Sequence, residues 1–215
     1  MKNIRLRSSI YALVAISGLS WFILASLSGL NLSVAKDFFS LLPKVVTIDL
    51  FIIAVFAKWG WKLKCFREWL IPFPNLNGTW IGSIRSDWVN PQTGEKVPPI
   101  PVMLTINQSF LNISFIMHTG EMKSYSISEG FKIDNGRQLK QVYYIYTSKP
   151  RIILQQRSVS HDGAAIFDII EKPEMKLKGR YWTERKTTGE IELQFYSINL
   201  WEEIPQNIGM HPMSV

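Results

Sequence analysis

The stretch Leu177-Lys178-Gly179-Arg180-Tyr181-Trp182-Thr183-Glu184-Arg185-Lys186-Thr187-Thr188-Gly189-Glu190-Ile191-Glu192-Leu193-Gln194-Phe195 reads with a period of two. Alternate side chains of a strand point to opposite faces. One parity of its first half is Leu177, Gly179, Tyr181, Thr183 and Arg185; the other is Lys178, Arg180, Trp182, Glu184 and Lys186. The second set is mostly charged and belongs in water. Beyond Thr188-Gly189, a turn signal, Ile191, Leu193 and Phe195 alternate with Glu190, Glu192 and Gln194. Two such runs joined by a few residues pair as an antiparallel hairpin, with one face on a core and one on solvent.

Outward from this hairpin, the chain after Pro72-Phe73-Pro74 repeats the same texture. Alternating runs cover about 77–86, 100–107, 111–118, 123–133, 139–147, 164–171, 177–186 and 190–199, and no long 3.6-residue period appears. Asn90-Pro91-Gln92-Thr93-Gly94, Asp134-Asn135-Gly136 and His161-Asp162-Gly163 supply turn chemistry between them. Eight consecutive antiparallel strands form a sandwich or a closed up-and-down barrel. Closure removes exposed edges, and a barrel of this size holds one small ligand. The first run, Asn77-Gly78-Thr79-Trp80-Ile81-Gly82, has the Gly-x-Trp look of lipocalin-like barrels, in which the Trp plugs one end. The expected fold is a membrane α-helical hairpin followed by an all-β domain, a small eight-stranded antiparallel up-and-down barrel.

The first third has a different chemistry. No charged residue lies between Arg7 and Lys36, so 8–34 is an apolar run of 27 residues. A membrane-spanning helix needs about 20. The apolar part of a secretory signal is about 7–15 residues, much shorter than this run. Small residues recur at Ser17, Gly18, Ser20, Ala25, Ser26, Ser28 and Gly29 and would let helices approach closely in lipid. A second apolar run, 41–61, carries Pro43 at its start and Lys44 and Asp49 within it. Trp59, Trp61 and Trp69 then alternate with Lys58, Lys62, Lys64 and Arg67, the pairing of a membrane–water interface. Asp49 has no basic residue three or four positions away, so no partner within its own helix is available. The expectation is that it faces neighbouring subunits of an assembly or lies near the headgroups.

The net charge is +7, from 24 Lys and Arg against 17 Asp and Glu in 215 residues. Residues 1–74 carry a net +6 and residues 75–215 a net +1. The basic excess therefore flanks the apolar runs and does not form a groove for polymeric nucleic acid. Lys2, Arg5 and Arg7 precede the first run, and Lys58, Lys62, Lys64 and Arg67 follow the second. The expected topology is in–out–in, with 1–72 a two-helix transmembrane region and 73–215 a cytoplasmic barrel. One cysteine, Cys65, excludes a disulfide scaffold and a Cys-rich zinc module. His118, His161 and His211 have no metal-ligand spacing. No phosphate loop, nucleophile elbow, His-Glu-x-x-His motif or catalytic carboxylate pair is present, so the chain reads as a binding protein and not an enzyme, with no metal and no cofactor.

Candidate binding residues come from the inward parities. Tyr181, Thr183 and Arg185 end one row and Val142, Tyr144 and Tyr146 form another, while Ser124, Ser126 and Ser128 share a face that is either exposed to solvent or the wall of a polar cavity. Lys149-Pro150-Arg151 follows the tyrosine strand. Tyrosine brings a flat ring and a hydroxyl, and an Arg that ends an inward row at a barrel mouth either meets an anion bidentately or is a solvated rim residue.

Two apolar runs lead into Pro74-Asn75-Leu76-Asn77-Gly78-Thr79-Trp80-Ile81-Gly82. Ser124-x-Ser126, Tyr144-x-Tyr146-x-x-x-Pro150, His161-x-Gly163, Leu177-x-Gly179-x-Tyr181-x-Thr183-x-Arg185 and Thr188-Gly189-x-Ile191 follow in that order. This series resembles the two-transmembrane β-barrel effectors of bacterial CBASS antiphage systems over nearly the whole chain. The resemblance implies a phage-defence effector of the bacterial inner membrane. Its barrel would bind a cyclic dinucleotide made by a partner nucleotidyltransferase. Binding would drive homo-oligomerisation, membrane disruption and cell death. A binder of such a ligand needs aromatic faces, hydrogen-bonding hydroxyls and a cation, and Ser126, Tyr144, Tyr146, Arg151, Tyr181, Thr183 and Arg185 supply them, with tyrosines expected to stack, Ser126 and Thr183 to bond bases or riboses, and the arginines to meet phosphates. Two other readings stand beside it: a membrane-anchored lipocalin-like carrier of an apolar molecule, and a non-enzymatic scaffold subunit. An apolar cavity without Arg would favour the first, and a filled barrel with a conspicuous outer patch the second.

Overall fold

The computed structural model describes residues 6–205 apart from 68, 92, 135 and 157, together with 209 and 212. Lys2, Arg5, Gln92, Asn135 and His211 lie outside the described residues, as does the Arg7 side chain. The chain divides into two units, Met1–Pro74 and Asn75–Val215.

In the first unit, α1 is Leu6–Ser28 and α2 is Ala35–Lys58. Ser8–Ser28 and Ala35–Lys58 are both long and apolar enough to cross a membrane. The first helix stops short of the expected residue 34. Gly29 takes φ +63°, and the Leu30 N–H bonds the Ala25 carbonyl at 3.1 Å. That is the glycine termination in which a left-handed residue returns the chain onto the last turn. The second helix begins at Ala35 rather than 41, so Pro43 lies inside it. The two helices meet where Ala25, Leu41 and Val45 are buried, and Trp21 stacks on Phe38 with centroids 4.4 Å apart. The other faces leave Tyr11, Leu27 and Phe51 more than 60% exposed, an apolar surface far beyond what a water-soluble hairpin presents.

Asp49 has partners that the one-helix view misses. Its carboxylate accepts hydrogen bonds from the Ser17 hydroxyl and, at 3.1 Å, from the Ser20 hydroxyl, both on α1. Ser17 and Ser20 are three apart and therefore share one face of their helix. The carboxylate is thus turned to the seam within the hairpin. Serines that look like spacing residues in the sequence act there as donors.

The second unit is a closed barrel with strand order β1-β2-β3-β4-β5-β6-β7-β8. The strands are β1 Gly78–Ser86, β2 Ile100–Gln108, β3 Ile113–Thr119, β4 Met122–Asp134, β5 Leu139–Pro150, β6 His161–Ile170, β7 Lys176–Thr183 and β8 Thr188–Ser197. Every neighbour pairs antiparallel, and β1 pairs with β8 to close the ring. Val102, Leu104, Ile106, Phe115, Val142, Phe167, Leu177 and Leu193 fill the interior. Trp80 is fully buried near the start of β1, and its indole N–H donates to the Leu76 carbonyl at 2.9 Å. It closes that end, as the Gly-x-Trp run suggested. The segment after β8 returns over the outside of β1 and β2. Thr79 Oγ1 donates to Asn199 O at 2.7 Å, and Thr105 Oγ1 donates to Trp201 O at 2.8 Å.

Two turn readings need correction. His161-Asp162-Gly163 is the start of β6, paired with Ser148, Thr147 and Tyr146 of β5. Gly189 lies within β8, and the turn before it is 184–187, where Lys186 takes φ 61°. These glycines serve close approach rather than chain reversal. A Cβ on Gly163 would lie 2.6 Å from the Tyr146 ring, and one on Gly189 2.6 Å from the Tyr181 ring. Each tyrosine is the cross-strand partner of its glycine. An aromatic ring laid over a strand glycine covers backbone that has no side chain of its own.

The serine row of β4 is also broken. Ser126 pairs with Tyr146 but Ser128 with Ile145, so a bulge intervenes. An extra residue in one strand reverses the alternation beyond it. Ser124 is buried on the inner side, Ser128 is exposed, and Phe131 packs against the core.

Candidate ligand-binding cavity

Trp80 plugs one end, so the interior opens toward the other. There the segment 87–99, the turn 120–121, the loop 151–160 and the turn 184–187 connect successive strand pairs. Between the core and these connections lies a cavity of about 390 Å³, within the usual range for a small-molecule site. Tyr144 and Tyr146 of β5, Tyr181 and Thr183 of β7, and Arg185 of the last turn all line it. Ile84, Ile100, Met117 and Ile191 form its apolar wall.

Five of the seven expected residues therefore come together, and two stand apart. Ser126 is not among the lining residues; its hydroxyl accepts the Phe115 N–H at 2.9 Å. The regular β3–β4 ladder covers only Ile116, Met117 and His118, so Phe115 takes a side chain in place of a ladder carbonyl. Arg151 is exposed beyond β5, and its backbone N–H donates to the Glu121 carbonyl at 3.0 Å. Sequence reasoning missed Ser86, Trp88, Glu121, Ser148, Ser158 and His161, which also line the cavity. Ser148 and His161 continue the inward parities of β5 and β6 and were legible that way. Trp88 and Ser158 come from loops, where no periodicity points inward.

The polar groups at the mouth are mostly engaged. Tyr181 donates its hydroxyl proton to Ser86 Oγ at 2.9 Å, and the Thr183 and Thr187 hydroxyls are 2.7 Å apart. Arg185 Nη1 donates to Ser158 Oγ at 3.2 Å. Arg185 is the only Lys or Arg among the described lining residues. Burial pushes the Tyr144, Tyr146 and Tyr181 phenols above their ordinary range, so all three are neutral donors at physiological pH. Burial likewise lowers the His161 imidazole, favouring its neutral form. Tyr144 is held most rigidly. Its ring is stacked on Phe115 at 4.5 Å and flanked by Phe167 at 6.1 Å. Both neighbours are side chains of the barrel, so its ring is already engaged and its hydroxyl is what remains to meet a ligand. Among the described residues, no group of three or more His, Cys, Asp or Glu is arranged to hold a metal ion.

An aromatic and hydroxyl-rich cavity with Arg185 as its one cation and Glu121 as its one acidic residue among the described lining residues suits a nucleotide-like ligand better than an apolar one. The comparisons with known proteins agree with that chemistry. Residues 71–194, more than half of the chain, match the family model described as Cap15, cyclic dinucleotide receptor domain. The CD-NTase-associated protein 15 of Staphylococcus schleiferi is 26% identical over 149 residues, covering 69% of this chain and 75% of that protein. That of Escherichia albertii is 29% identical over 150 residues, covering 65% and 72%. With its two apolar helices, its closed eight-stranded barrel and this match, the chain belongs to the Cap15 family of CBASS effectors, which carry a cyclic dinucleotide receptor domain.

Proposed function

We propose that the barrel binds a cyclic dinucleotide from a partner nucleotidyltransferase, and that binding drives assembly of the helical hairpins in the bacterial inner membrane. The assembled hairpins disrupt that membrane, and the cell dies before phage is released. In this reading residues 1–72 are the membrane region, 73–215 are the cytoplasmic receptor, and both termini are cytoplasmic. The protein acts by binding, without catalysis. The observation that carries the reading is the cavity: Tyr146, Tyr181, Thr183 and Arg185 converge at the open end of a barrel whose family is a cyclic dinucleotide receptor. Tyr146 and Tyr181 offer rings to bases, Thr183 a hydroxyl to a base or ribose, and Arg185 a bidentate donor to phosphate. Membrane action is supported by the two apolar helices and by basic residues on their flanks.

The test uses full-length protein in detergent and in vesicles. Calorimetry with cyclic di-AMP, di-GMP, di-CMP and di-UMP and their mixed forms is expected to give binding near one per chain for at least one of them. The same ligand is expected to produce chemical crosslinks between chains and dye leakage from vesicles. Binding without crosslinks or leakage would retain the receptor and refute the assembly step. An absence of binding across the panel would refute the receptor.

A further inference from the structure

The Tyr144 hydroxyl is a buried polar atom with no hydrogen-bond partner, on a residue only 2% exposed. It is the one such side-chain atom found among the described residues. Buried hydroxyls are nearly always satisfied, and leaving one unmade costs stability. The ring cannot swing away to relieve this, because Phe115 and Phe167 flank it. The residue lines the cavity. The barrel therefore holds a neutral donor, fixed in direction, that a bound molecule can complete.

What meets it follows from where charge is tolerated. The cavity wall near the core is Ile84, Met117 and Ile191. A phosphodiester placed there would be an unpaired buried anion, which is strongly unfavourable. Arg185 belongs to the turn that follows β7, at the mouth, with Ser158 and Thr187 beside it. A nucleobase is flat and neutral, carries carbonyl or ring-nitrogen acceptors, and loses little when apolar side chains surround it.

We infer that the ligand enters base-first: one nucleobase reaches the inner end of the cavity and accepts a hydrogen bond from the Tyr144 hydroxyl, while the phosphates stay at the mouth beside Arg185. This deepens the cyclic dinucleotide reading and rests on it. It makes Tyr144 a specificity-determining residue. A base that presents a carbonyl oxygen or ring nitrogen at that point accepts the phenol proton, whereas one that presents an amino group can only donate to the phenol oxygen and leaves the phenol proton unmatched.

The experiment is Tyr144→Phe in the full chain, with thermal unfolding and with calorimetry against cyclic di-AMP, di-GMP, di-CMP and di-UMP. The variant is expected to unfold at the same or a higher temperature, because an unsatisfied hydroxyl has been removed. Affinity for the best-bound member of the panel is expected to fall about tenfold. Weaker members should lose less, so preference among bases narrows. Uniform weakening across the panel would put a phosphate on Tyr144 and overturn the base-first orientation, since backbone contacts carry no base information. Unchanged affinity would overturn the contact itself. A lower unfolding temperature would mean that the hydroxyl is already satisfied and would remove its basis. If the unmodified chain binds none of the panel, the failure lies in the cyclic dinucleotide reading, and the inference falls with it.

Discussion

Gly163 tests whether strand glycines shape the cavity. Its backbone is outside the left-handed region, so alanine is conformationally allowed. Taken alone, Gly→Ala at such a position stabilises by about 0.4–1 kcal/mol, through the unfolded chain. The structure reverses that sign. A Cβ on Gly163 would lie 2.6 Å from Tyr146 Cζ and from its hydroxyl oxygen, and 2.8 Å from the Trp182 carbonyl oxygen. All three fall inside the distance at which something must move. The Trp182 carbonyl belongs to the β6–β7 ladder and yields little. The Tyr146 ring is the end of a side chain and yields more, moving into the cavity it lines. Overpacking of this kind costs about 1–3 kcal/mol, so Gly163→Ala is expected to destabilise the barrel by about 1–2 kcal/mol net. Ligand affinity should fall further than that, because the displaced ring occupies the ligand's space. Thermal unfolding reads the first effect and calorimetry with the best-bound cyclic dinucleotide the second. Tyr146→Leu in the Gly163→Ala background should recover most of the lost stability but not the affinity, a coupling that isolates the contact. An unfolding temperature that rises in Gly163→Ala, with affinity unchanged, would refute the ring-over-glycine account.

Three further outcomes are expected. Ser126→Ala leaves the Phe115 N–H without its 2.9 Å acceptor and should cost about 1–3 kcal/mol of barrel stability with ligand affinity intact; a loss of affinity alone would return Ser126 to the binding site. His118 is 9% exposed, and burial lowers its imidazole from 6.5 to about 4. The unfolded chain then binds the proton more readily, so stability is full above about pH 6.5 and is lost as pH falls toward 4, a slope that His118→Gln should flatten in unfolding curves. In the hairpin, Ser17→Ala with Ser20→Ala removes both donors to Asp49 and should loosen α1 from α2 by about 1–2 kcal/mol, read as faster proteolysis of the 29–34 connection in detergent. Adding Asp49→Leu should restore protection, and equal cleavage of all forms would dissociate Asp49 from hairpin packing.

What the sequence revealed depends on how far each signal reaches along the chain. Strand parity is local, and the row Leu177, Gly179, Tyr181 and Thr183 was readable because nothing interrupts it before the turn that carries Arg185. The β4 row failed at Ser128 because the bulge between Ser126 and Ser128 belongs to the pairing of β4 with β5, which the β4 sequence alone does not show. Asp49 was legible as a group in need of a partner, but the register that brings Ser17 and Ser20 to it belongs to two helices at once. The cavity residues Trp88 and Ser158 sit in loops, where no alternation marks an inward side.

Glycine gave the most instructive error, because one residue type answers two different demands. At Gly29, which the sequence offered only as one of several small packing residues, the positive φ ends a helix. At Gly163 and Gly189 the φ is ordinary and the demand is for volume. Turn composition around them, with Asp162 before one and Thr188 before the other, could not separate the cases. The distinguishing information lies on the neighbouring strand, in register: Tyr146 opposite Gly163 and Tyr181 opposite Gly189. Once those pairs are known, the three features cease to be independent. The tyrosine rings can lie flat along the wall because the glycines leave room, and a cavity remains because the rings lie flat. Alanine at Gly163 would push the Tyr146 ring toward the volume that the proposed ligand needs, and alanine at Gly189 would meet both the Tyr181 ring, at 2.6 Å, and the Arg85 carbonyl oxygen. The glycines thus belong to the candidate site although neither offers an atom to the ligand.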